Sequence, residues 1–504
     1  MAQYPNLPGI DVSIADGGFI LPEDATTESL LIIAPSVKKD APKEPVLVRQ
    51  SSELTANGFG TFVEGGIVNP IAAAWKAAFE GGNRRTYLMS LGTYDEVTGE
   101  VENVDAMAMT DEEKFTFLQN ALFGVLADFS VNHIVLLGVT ADKEAELTAE
   151  PLLANGVVNE FSKEGTVALT IVAGTDDTIV INGTELTLAA KTYTEAELQT
   201  ELAKELHNAG IIDVTATVAD GKVRLVSELD FTVGEGSAFG LAGQASKKST
   251  GNFALLAGQY AESQTFNHTS TIAYIGVGAP HGNTLAQIKA NVDRLVNSKN
   301  EYSGYVQVVA APELGYVLPG KNDLYFANGV VTYAALVSTL AAESAPTNKK
   351  VSGVSGIHYN LSLRQLNDLT GAKYVTFRLK NGQVVVTDGV TTAPDYLVGG
   401  TKQSSDYTRL STLRITQTAA QLVRNATEKF IGEPNRAPQY NSMNATIKAS
   451  LEAMKNAGAL TDYRFTVVSR GRMLDEAVVT LELIPAFEMK KITVNVSLKP
   501  SYTF

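Results

Sequence analysis

A glycine-rich string in the middle of the sequence nearly matches the pattern of a phosphate-binding loop. GYVLPGKN begins at Gly315 and has Lys321 where GxxxxGK[ST] requires its lysine, but Asn322 replaces the hydroxyl residue that would hold magnesium. Pro319 also removes one of the backbone N–H groups that such a loop directs at phosphate. The string lies between a predicted strand and a predicted helix, and we expect a turn here. A nucleotide-binding α/β enzyme using Gly315–Lys321 is the alternative that this string leaves open.

The other residues capable of catalysis or metal binding form no complete set. GVGAPHG, residues 276–282, has His281 where the dinucleotide-binding pattern GxGxxG requires a glycine. The five histidines are scattered, with no pair at i, i+4 and no carboxylate at metal-site spacing. Cysteine is absent, which excludes disulfides, thiolate metal ligands and a cysteine nucleophile. No GxSxG serine motif is present. The sequence therefore predicts no enzyme, no cofactor and no metal.

The charge balance of the 504-residue chain argues against nucleic-acid binding. With 40 Lys+Arg and 55 Asp+Glu the net charge is −15, so the chain should repel a phosphate backbone. Residues 144–250 hold 17 acidic and 7 basic residues and account for most of that excess. Residues 1–29 have five acidic and no basic residues, whereas 464–504 have six basic and four acidic. The opposite charges at the two chain ends are either ordinary variation of the surface or a sign that the ends meet, within one molecule or between copies.

Neither a membrane span nor a secretory signal is predicted. No apolar run approaches the ~18–20 residues of a spanning helix. The opening, MAQYPNLPGIDVS, has no basic segment followed by an apolar stretch. We therefore expect no stable membrane insertion.

Alternating strands and helices through the first half of the chain predict an α/β sheet. A strand begins near Ser29 with LLIIA, and a helix over residues 66–81 has Asn69 as its N-cap and Pro70 at its first position. The further predicted elements are a strand at 85–92, a helix at 111–128, strands at 132–138 and 271–278, a helix at 285–297, a strand at 305–312 and a helix at 328–342.

Residues 144–250 interrupt this pattern and predict an inserted module. The module is expected to be a ββαββ unit over residues 165–229. It has the β segments VALTIV and TIVINGTELTL, a helix over Glu195–Asn208 and the strands VTATVAD and KVRLVSE, with hairpin turns at Asn182-Gly183 and Asp220-Gly221. Residues 234–251 are interpreted as the returning linker. The unit resembles modules inserted in flagellin and other surface-filament proteins, so a filament or adhesin subunit is a second alternative, although no secretory signal is present.

The last third of the chain is predicted to be mixed α and β. A hairpin turns at Asn381-Gly382, two long helices cover 406–431 and 441–457, and the strands FTVVSR and AVVTLELI follow.

Both ends of the chain have the alternation of isolated β-strands. Apolar residues alternate with polar ones at Ile10, Val12 and Ile14 near the start and at Ile492, Val494, Val496 and Leu498 near the end. An isolated strand leaves backbone N–H and C=O groups unpaired on both edges. Either these strands complete sheets of their own subunit, or they add to the sheets of neighbouring copies. Two such arms on one chain give a head-to-tail contact that can extend into a filament.

Several segments resemble the contractile tail sheath proteins of bacteriophages and of related particles such as R-type bacteriocins. PGIDVS, residues 8–13, is similar to the opening arm of that family. LLIIAPS, SSELTANGFG (51–60) and NPIAAAWKAAFEGGNRRTYLMSLG (69–92) follow its succession of strand, glycine and helix. FIGEPNRAPQYNSMNATIKASLEAMKNAGALTDYRF (430–465) is close to its C-terminal pattern, and the closing strands match as well.

The resemblance implies a multidomain α+β and α/β fold whose central α/β domain is subtilisin-like but non-catalytic. The sequence has no GTS-type serine string, so the architecture carries over without protease chemistry. The predicted domains are an N-terminal arm 1–28, an α/β sheath domain 29–143 plus 251–354, the inserted module 144–250, a C-terminal sheath domain 355–484 and a C-terminal arm 485–504.

The resemblance also implies a structural subunit that polymerises around an inner tail tube. Copies are expected to stack as six-membered rings joined by strand exchange through the arms Pro8–Ala15 and Met489–Pro500. Contraction from a metastable extended state would drive the tube through the target cell envelope. The expected partners are other copies, the inner tube protein, the baseplate and the tail terminator. The expected location is the tail of a virion, assembled in the cytoplasm of the host bacterium.

The resemblance places the C-terminal helices against the tube. Their basic side chains are expected either to meet an acidic tube or to be a solvated helix face: Arg409, Arg414, Arg424, Lys429, Lys448 and Lys455. The acidic module is expected to point outward, where like charges limit clumping of sheaths.

Overall fold

The computed structural model describes most of the chain between Glu28 and Lys490. The residues described are 28–94, 101–102, 104–141, 144–146, 159–167, 169–174, 177–209, 211, 214–219, 221–227, 231–234, 239, 241, 247–277, 286, 292, 295, 302–398, 401–432, 436–470 and 476–490.

A seven-stranded sheet forms the centre of the protein. In spatial order its strands are β2 (Val46–Leu47), β5 (Thr86–Ser90), β1 (Leu30–Ala34), β8 (His133–Leu136), β16 (Ile272–Gly276), β17 (Val306–Val309) and β21 (Tyr374–Val375). All neighbours pair in parallel except β2, which is antiparallel to β5. The strands predicted near Ser29 and at 85–92, 132–138, 271–278 and 305–312 are thus confirmed.

Helices cover both faces of this sheet. The short helix α1 (Ser51–Ala56) precedes α2 (Pro70–Glu80), which lies with α6 (Val330–Ser338) on one face; α3 (Asp111–Asn120) and α5 (Phe253–Asn267) lie on the other. Strand β1 serves both cores, because Leu30 and Ile32 point to the first face and Leu31 and Ile33 to the second. A strand buried on both faces has a continuous apolar sequence, and LLIIA is such a run.

Helix α2 begins at Pro70 with Asn69 in the N-cap position, as predicted. The Asn69 side chain does not cap the helix, which corrects the prediction. It is buried, and its Nδ2 donates to the carbonyl oxygens of Phe59 (2.7 Å) and Thr61 (3.1 Å). Asn69 therefore fastens the preceding loop, because a buried amide takes whichever backbone partners enclose it.

The helix predicted over 111–128 divides into two parts. α3 begins with a capping box between Thr110 and Glu113 and ends at Asn120, and a π-helical turn follows at Ala121–Val125.

Small sheets surround the central one. They are β3 (Val63–Glu64) with β4 (Ile67–Val68), β6 (Thr93–Tyr94) with β7 (Val101–Glu102), β22 (Phe377–Lys380) with β23 (Gln383–Val386), β24 (Tyr396–Val398) with β25 (Thr401–Gln403), and β18 (Leu314–Tyr316) with β19 (Tyr325–Ala327) and β20 (Gly356–Ile357). Asn381 and Gly382 both have positive φ, as the predicted turn requires. Helix α7 (Leu363–Gly371) leads into β21.

The string GYVLPGKN lies in the β18–β19 hairpin, and this corrects its expected place between a strand and a helix. β18 pairs antiparallel with β19, and Lys321 N donates to Leu318 O (3.1 Å) in the connecting loop. A phosphate-binding loop leads directly into a helix whose N-terminal N–H groups face the phosphate. This loop leads into a strand, so it is a turn.

The segment 144–252 has a hydrophobic core of its own, drawn from residues 167–241. Its five-stranded sheet has the order β13 (Val214–Ala219), β14 (Lys222–Ser227), β10 (Asn159–Thr166), β15 (Lys247–Asn252), β9 (Glu144–Glu146), and beside it lie the hairpin β11 (Thr178–Ile181) with β12 (Thr184–Thr187) and the helix α4 (Glu195–Asn208). The predicted helix and both hairpins are confirmed.

Two predictions in this segment were wrong. Residues 247–252, interpreted as linker, form β15, because KKSTGN pairs with the distant strands β10 and β9. The segment VALTIV was predicted to be a strand, but the strand here is β10, which ends at Thr166 directly before this segment.

The C-terminal region contains a short 3₁₀ turn at Asp406–Thr408, two helices and a β ribbon. α8 (Leu410–Glu428) and α9 (Ala437–Asn456) pack against each other and against β26 (Leu460–Arg470) and β27 (Glu476–Pro485) around a separate small core. Gln417 of α8 donates to Thr271 O (3.1 Å), just ahead of β16. The helices therefore lie at the amino-terminal edge of the central sheet.

Some predicted features lie outside the described residues. They are both terminal strands, the string GVGAPHG from residue 278 onward, and most of the helix predicted at 285–297. Within the described ranges, no helix combines the length and apolar character needed to cross a membrane.

Candidate assembly surface

The ribbon of β26 and β27 is an exposed sheet of the C-terminal region, with several residues of both strands open to solvent. The two strands pair in register from Asp462 opposite Ile484 to Arg470 opposite Glu476. Over the ranges that the structure describes, no third strand pairs with either outer edge. A two-stranded ribbon is marginally stable in water, because its outer backbone groups and much of its apolar surface stay exposed.

One face of the ribbon packs on the helices α8 and α9. Tyr463, Phe465 and Val467 of β26 and their partners Leu483, Leu481 and Val479 of β27 lie against the small core, and each is only partly buried. A third and a fourth strand along the open edges would extend this face and cover more of it.

Large apolar side chains are exposed where the chain leaves the ribbon. Phe487 is 63% exposed and Met489 is 80% exposed, and Ile484 and Val468 on the ribbon are half exposed. Ile484, Phe487 and Met489 are close in sequence, so the end of the ribbon exposes apolar surface that another segment could cover.

The first described residue, Glu28, is held by a buried polar network that we call the first root. Its Oε2 lies 2.5 Å from His133 Nε2 and 2.9 Å from Arg414 Nη2. His133 Nδ1 lies 2.8 Å from the hydroxyl of Tyr274. Arg414 also donates to the carbonyl oxygens of Leu340 (2.8 Å) and Ala341 (3.1 Å). Residues from β8, β16 and α8 thus converge on the point where the N-terminal segment enters the body.

The network determines the charges of its members. Burial alone would raise the pKa of Glu28, but the hydrogen bond from His133 and the charges of His133 and Arg414 outweigh it and lower that pKa to about 2. Burial lowers the pKa of His133, and its hydrogen bond to Glu28 offsets this only in part. Burial raises the pKa of Tyr274 well above its usual value. Glu28 is therefore the anion that balances the buried charge of Arg414.

A second cluster, the second root, holds the chain where it leaves the ribbon. Arg409 Nη1 donates to Glu488 O (3.4 Å), and Lys490 Nζ lies 2.8 Å from Asp388 Oδ2 and 3.6 Å from Glu488 Oε1. Burial raises the pKa of Glu488, with the Lys490 charge opposing that rise.

The residues predicted to face the tube have different surroundings. Arg414 is 4% exposed and belongs to the first root, so its assignment to a tube-facing surface was wrong. Arg424 donates to the carbonyl oxygens of Thr265, Phe266 and His268 at the end of α5. Arg409 belongs to the second root. Lys455 pairs with Asp462 (3.0 Å).

Two of the six basic residues, Lys429 and Lys448, have exposed side chains. For them the tube-facing role remains a prediction. The strand residues Ile10, Val12, Ile14, Ile492, Val494, Val496 and Leu498 lie outside the described residues, so strand exchange also remains a prediction.

Sequence reasoning missed Glu28 and His133. They are 105 residues apart, and Arg414 is 386 residues from Glu28, so no local spacing connects them. The one available signal was a histidine within the apolar strand sequence HIVL.

The described residues offer little support for catalysis. In that part of the chain no group of three His, Cys, Asp or Glu side chains could hold a metal ion. Doubly wound sheets bind ligands at the carboxyl edge where the strand order reverses, here between β1 and β8. The loops after these strands touch, because a Cβ on Gly138 would lie 2.9 Å from the Pro35 ring. That crevice is closed.

A cavity of about 640 Å³ lies between the π-helical turn and α5. Its walls mix apolar, acidic and amide side chains, including Phe123, Asp128, Glu262 and His268. Among them, His268 Nε2 lies 3.8 Å from Asp128 Oδ1, a pair without the hydrogen-bonded third group that a hydrolytic triad requires within the described lining.

Comparison with known proteins identifies the C-terminal region. Residues 402–499 match the family described as the phage tail sheath C-terminal domain. This range contains α8, α9 and the ribbon. No curated protein matches the chain.

Solved structures resemble the chain over nearly its whole length. A chain of the anti-feeding prophage baseplate in its contracted state has 12% sequence identity and a TM-score of 0.53, over 98% of this chain and 99% of that chain. A chain of the helical sheath of the same prophage in its contracted state has 11% identity and a TM-score of 0.51, over 97% of this chain and 99% of that chain. A chain of the six-fold symmetrised baseplate also has 11% identity and a TM-score of 0.51, over 98% and 99%.

At these identities the similarity to solved structures shows the fold. The resemblance to contractile tail sheath proteins is confirmed, since residues 402–499 carry the sheath C-terminal domain within a mixed α/β chain that has the fold of these sheath and baseplate subunits.

Proposed function

We propose that the chain is the structural subunit of a contractile tail sheath. The observation that carries the proposal is the ribbon of β26 and β27, which lies within the sheath C-terminal domain and has no strand on either outer edge among the residues described. In this proposal copies stack as six-membered rings around an inner tube. The helical sheath and the six-fold baseplate of the anti-feeding prophage, whose chains have this fold, support that arrangement.

Strand exchange between copies completes the ribbon. A ribbon with two open edges can accept two strands, and each chain has two segments with strand alternation, around Ile10–Ile14 and Ile492–Leu498. The N-terminal segment is acidic, whereas residues 464–504 carry a net positive charge, so the first arm of one copy is attracted to the ribbon region of the next. Because each copy lends and accepts strands head-to-tail, the contact extends along the assembly.

Contraction is then a change of packing between subunits that stay connected. Backbone pairing in the arms holds neighbours together while the α/β bodies rotate from a metastable extended packing to a contracted one. The contracted-state structures that share this fold support one end point of that change. The movement would drive the tube through a target cell envelope without a nucleotide or a cofactor.

The remaining surfaces have roles in the same assembly. The exposed Lys429 and Lys448 of the C-terminal helices are placed toward the tube, and the acidic segment 144–250 is an inserted outer module that limits clumping of sheaths. The central α/β domain is a non-catalytic, subtilisin-like scaffold. The partners are other copies, the tube protein, the baseplate and the tail terminator. The location is the tail of a phage or bacteriocin-like particle, after assembly in the bacterial cytoplasm.

Electron microscopy of the purified chain tests this proposal. The full-length protein in physiological salt should form hollow cylinders that lengthen with protein concentration. A chain that stays a small monomer at every concentration, while folded by circular dichroism, would contradict the proposal.

A further inference from the structure

The described part of the chain begins and ends beside the same half of helix α8. Arg414 of α8 contacts Glu28 in the first root, and Arg409, directly before the first residue of α8, contacts Glu488 in the second. Five residues of helix correspond to a rise of about 7–8 Å. The two roots are therefore anchored little more than one helical turn apart.

Each root is also fixed to the body by contacts of its own. The backbone N–H of Glu28 donates to Ser338 O (3.2 Å), and Asn83 Nδ2 donates to Glu28 O (2.9 Å). At the second root Lys490 pairs with Asp388, and the adjacent Gly389 accepts from the backbone N–H of Leu410 (3.2 Å). Neither root can shift without moving the start of α8 or breaking these bonds.

Buried aromatic side chains fill the space between the roots. Tyr274, which contacts His133 of the first root, meets Tyr333 edge-on with ring centroids 5.9 Å apart, and both rings are fully buried. The Tyr333 hydroxyl lies 3.6 Å from the position that a Cβ would occupy on Gly389, beside the second root. Buried rings thus extend from the first root to the neighbourhood of Gly389, beside the second root, and packed cores transmit displacement.

We propose that the N-terminal half of α8 is a junction that joins the two arms of one subunit into a single tension-carrying connection. Arg414 holds the first root and Arg409 holds the second. When one arm binds a neighbouring subunit, the junction orients the root of the other arm, so the two arms bind cooperatively. Tension during contraction passes from one arm to the other through this junction. The inference rests on the proposed function, because it takes the chain ends to be the arms that connect subunits.

The Arg409→Ala variant tests the junction at its less buried position. The measured quantity is the critical protein concentration for cylinder formation, obtained by sedimentation of the full-length chain. We expect it to rise about tenfold, the scale of one lost charge-assisted hydrogen bond. Arg409→Lys, which keeps the charge with fewer fixed donors, should recover part of the loss. The melting temperature of unassembled Arg409→Ala should stay within about 2 °C of the parent chain.

Arg364→Ala is the matched control. Arg364 is an arginine on helix α7 that is 91% exposed and lies 3.8 Å from Asp368. Its removal should change the critical concentration less than about twofold. If Arg409→Ala raises the critical concentration no more than Arg364→Ala does, the junction is overturned.

A double variant tests whether the roots act together. Glu28→Gln loosens the first root and Arg409→Ala the second. If the two roots belong to one connection, the double variant should raise the critical concentration only about as much as the stronger of the two single variants. If the roots are independent anchors, the two single increases multiply and the rise is about a hundredfold. A hundredfold rise in the double variant would overturn the junction proposal. If Glu28→Gln fails to fold, Arg414→Lys replaces it.

The proposed function can fail separately. If the chain lacking residues 1–16 still forms cylinders, the N-terminal arm does not connect subunits and the strand-exchange part of the proposed function is wrong. If that deletion abolishes cylinders while Arg409→Ala has no effect, only the junction is wrong.

Discussion

Glu28 fixes the point at which the N-terminal segment joins the body. One carboxylate oxygen accepts from both His133 and Arg414. Because Arg414 is almost fully buried, its charge depends on this carboxylate and on two backbone carbonyls. Removing only one partner of a buried ion pair is more destabilising than replacing both partners by apolar residues, because the first change leaves an unpaired buried charge.

The stability of the chain should therefore depend on pH through Glu28. Its pKa is about 2 in the folded protein against an ordinary 4.5, so its contribution is fully present above pH 4.5 and is lost as the pH falls toward 2. The side chain is 34% exposed, so solvent screening reduces the contribution to about 1–2 kcal/mol. Urea unfolding between pH 7 and pH 2 measures it.

The Glu28→Gln variant should be less stable than the parent chain at pH 7 by about 1–2 kcal/mol and should show a flatter pH dependence. Glu185→Gln, at an exposed position on the β11–β12 hairpin, is the matched control and should change stability by less than about 0.5 kcal/mol. Identical pH profiles for Glu28→Gln and the parent chain would rule out this role of Glu28.

Sequence patterns predicted the surroundings of Arg414 incorrectly for an identifiable reason. The charge of Arg414 suggested an exposed helix face. Arg414 nevertheless stands four residues after the buried Leu410 and next to the buried Leu413, in the part of α8 that packs against the body. The residue that compensates it comes from the other end of the chain. Partners brought together only by tertiary packing leave no local signal.

At the scale of elements, tight packing of glycine at the start of α6 is a test of the fold. A Cβ on Gly329 would lie 2.5 Å from the Phe377 ring and 2.6 Å from the Leu314 methyl group. Gly329→Ala should therefore lower the free energy of unfolding by about 1–3 kcal/mol. Gly371→Ala, where the added Cβ meets nothing within 4 Å at the end of α7, should be neutral or slightly stabilising. Thermal unfolding compares the two, and equal losses would contradict the packing described here.

The C-terminal strand provides a second test at this scale. Ile492→Asp and Val494→Asp replace residues on one face of its alternation, and Thr493→Asp replaces one on the other. If this strand adds to a neighbouring ribbon by its apolar face, the first two variants should weaken cylinder formation much more than they lower the melting temperature of the subunit. Thr493→Asp should have little effect on either. Parallel losses of assembly and melting temperature would indicate an ordinary core strand.

Elements with a clear period were predicted well, and those that depend on distant pairing were not. LLIIA, the α2 helix and the Asn381-Gly382 hairpin have local signals that the structure confirms. Strand β15 has the polar sequence KKSTGN and becomes a strand only through pairing with β10 and β9. The GYVLPGKN segment likewise forms a hairpin only because β18 pairs with β19, from which it is separated by eight residues.

At the scale of the whole molecule, the described part of the chain begins and ends on one side, beside the C-terminal helices. Both roots, α8 and the ribbon region lie together at the amino-terminal edge of the central sheet. The acidic segment 144–252 is attached through β9 and β15, which follow β8 and precede α5. The two roots are thus gathered near the ribbon, while the loops after β1 and β8 touch where Gly138 meets the Pro35 ring.

The measurement that tests the central claim most directly compares the full chain with one lacking residues 1–16, under the same buffer and concentration. We expect the shortened subunit to have the circular dichroism and melting temperature of the full chain, to remain monomeric in sedimentation, and to form no cylinders in electron micrographs. Cylinders of unchanged diameter from the shortened chain would show that subunits connect without the N-terminal arm, and would contradict the account.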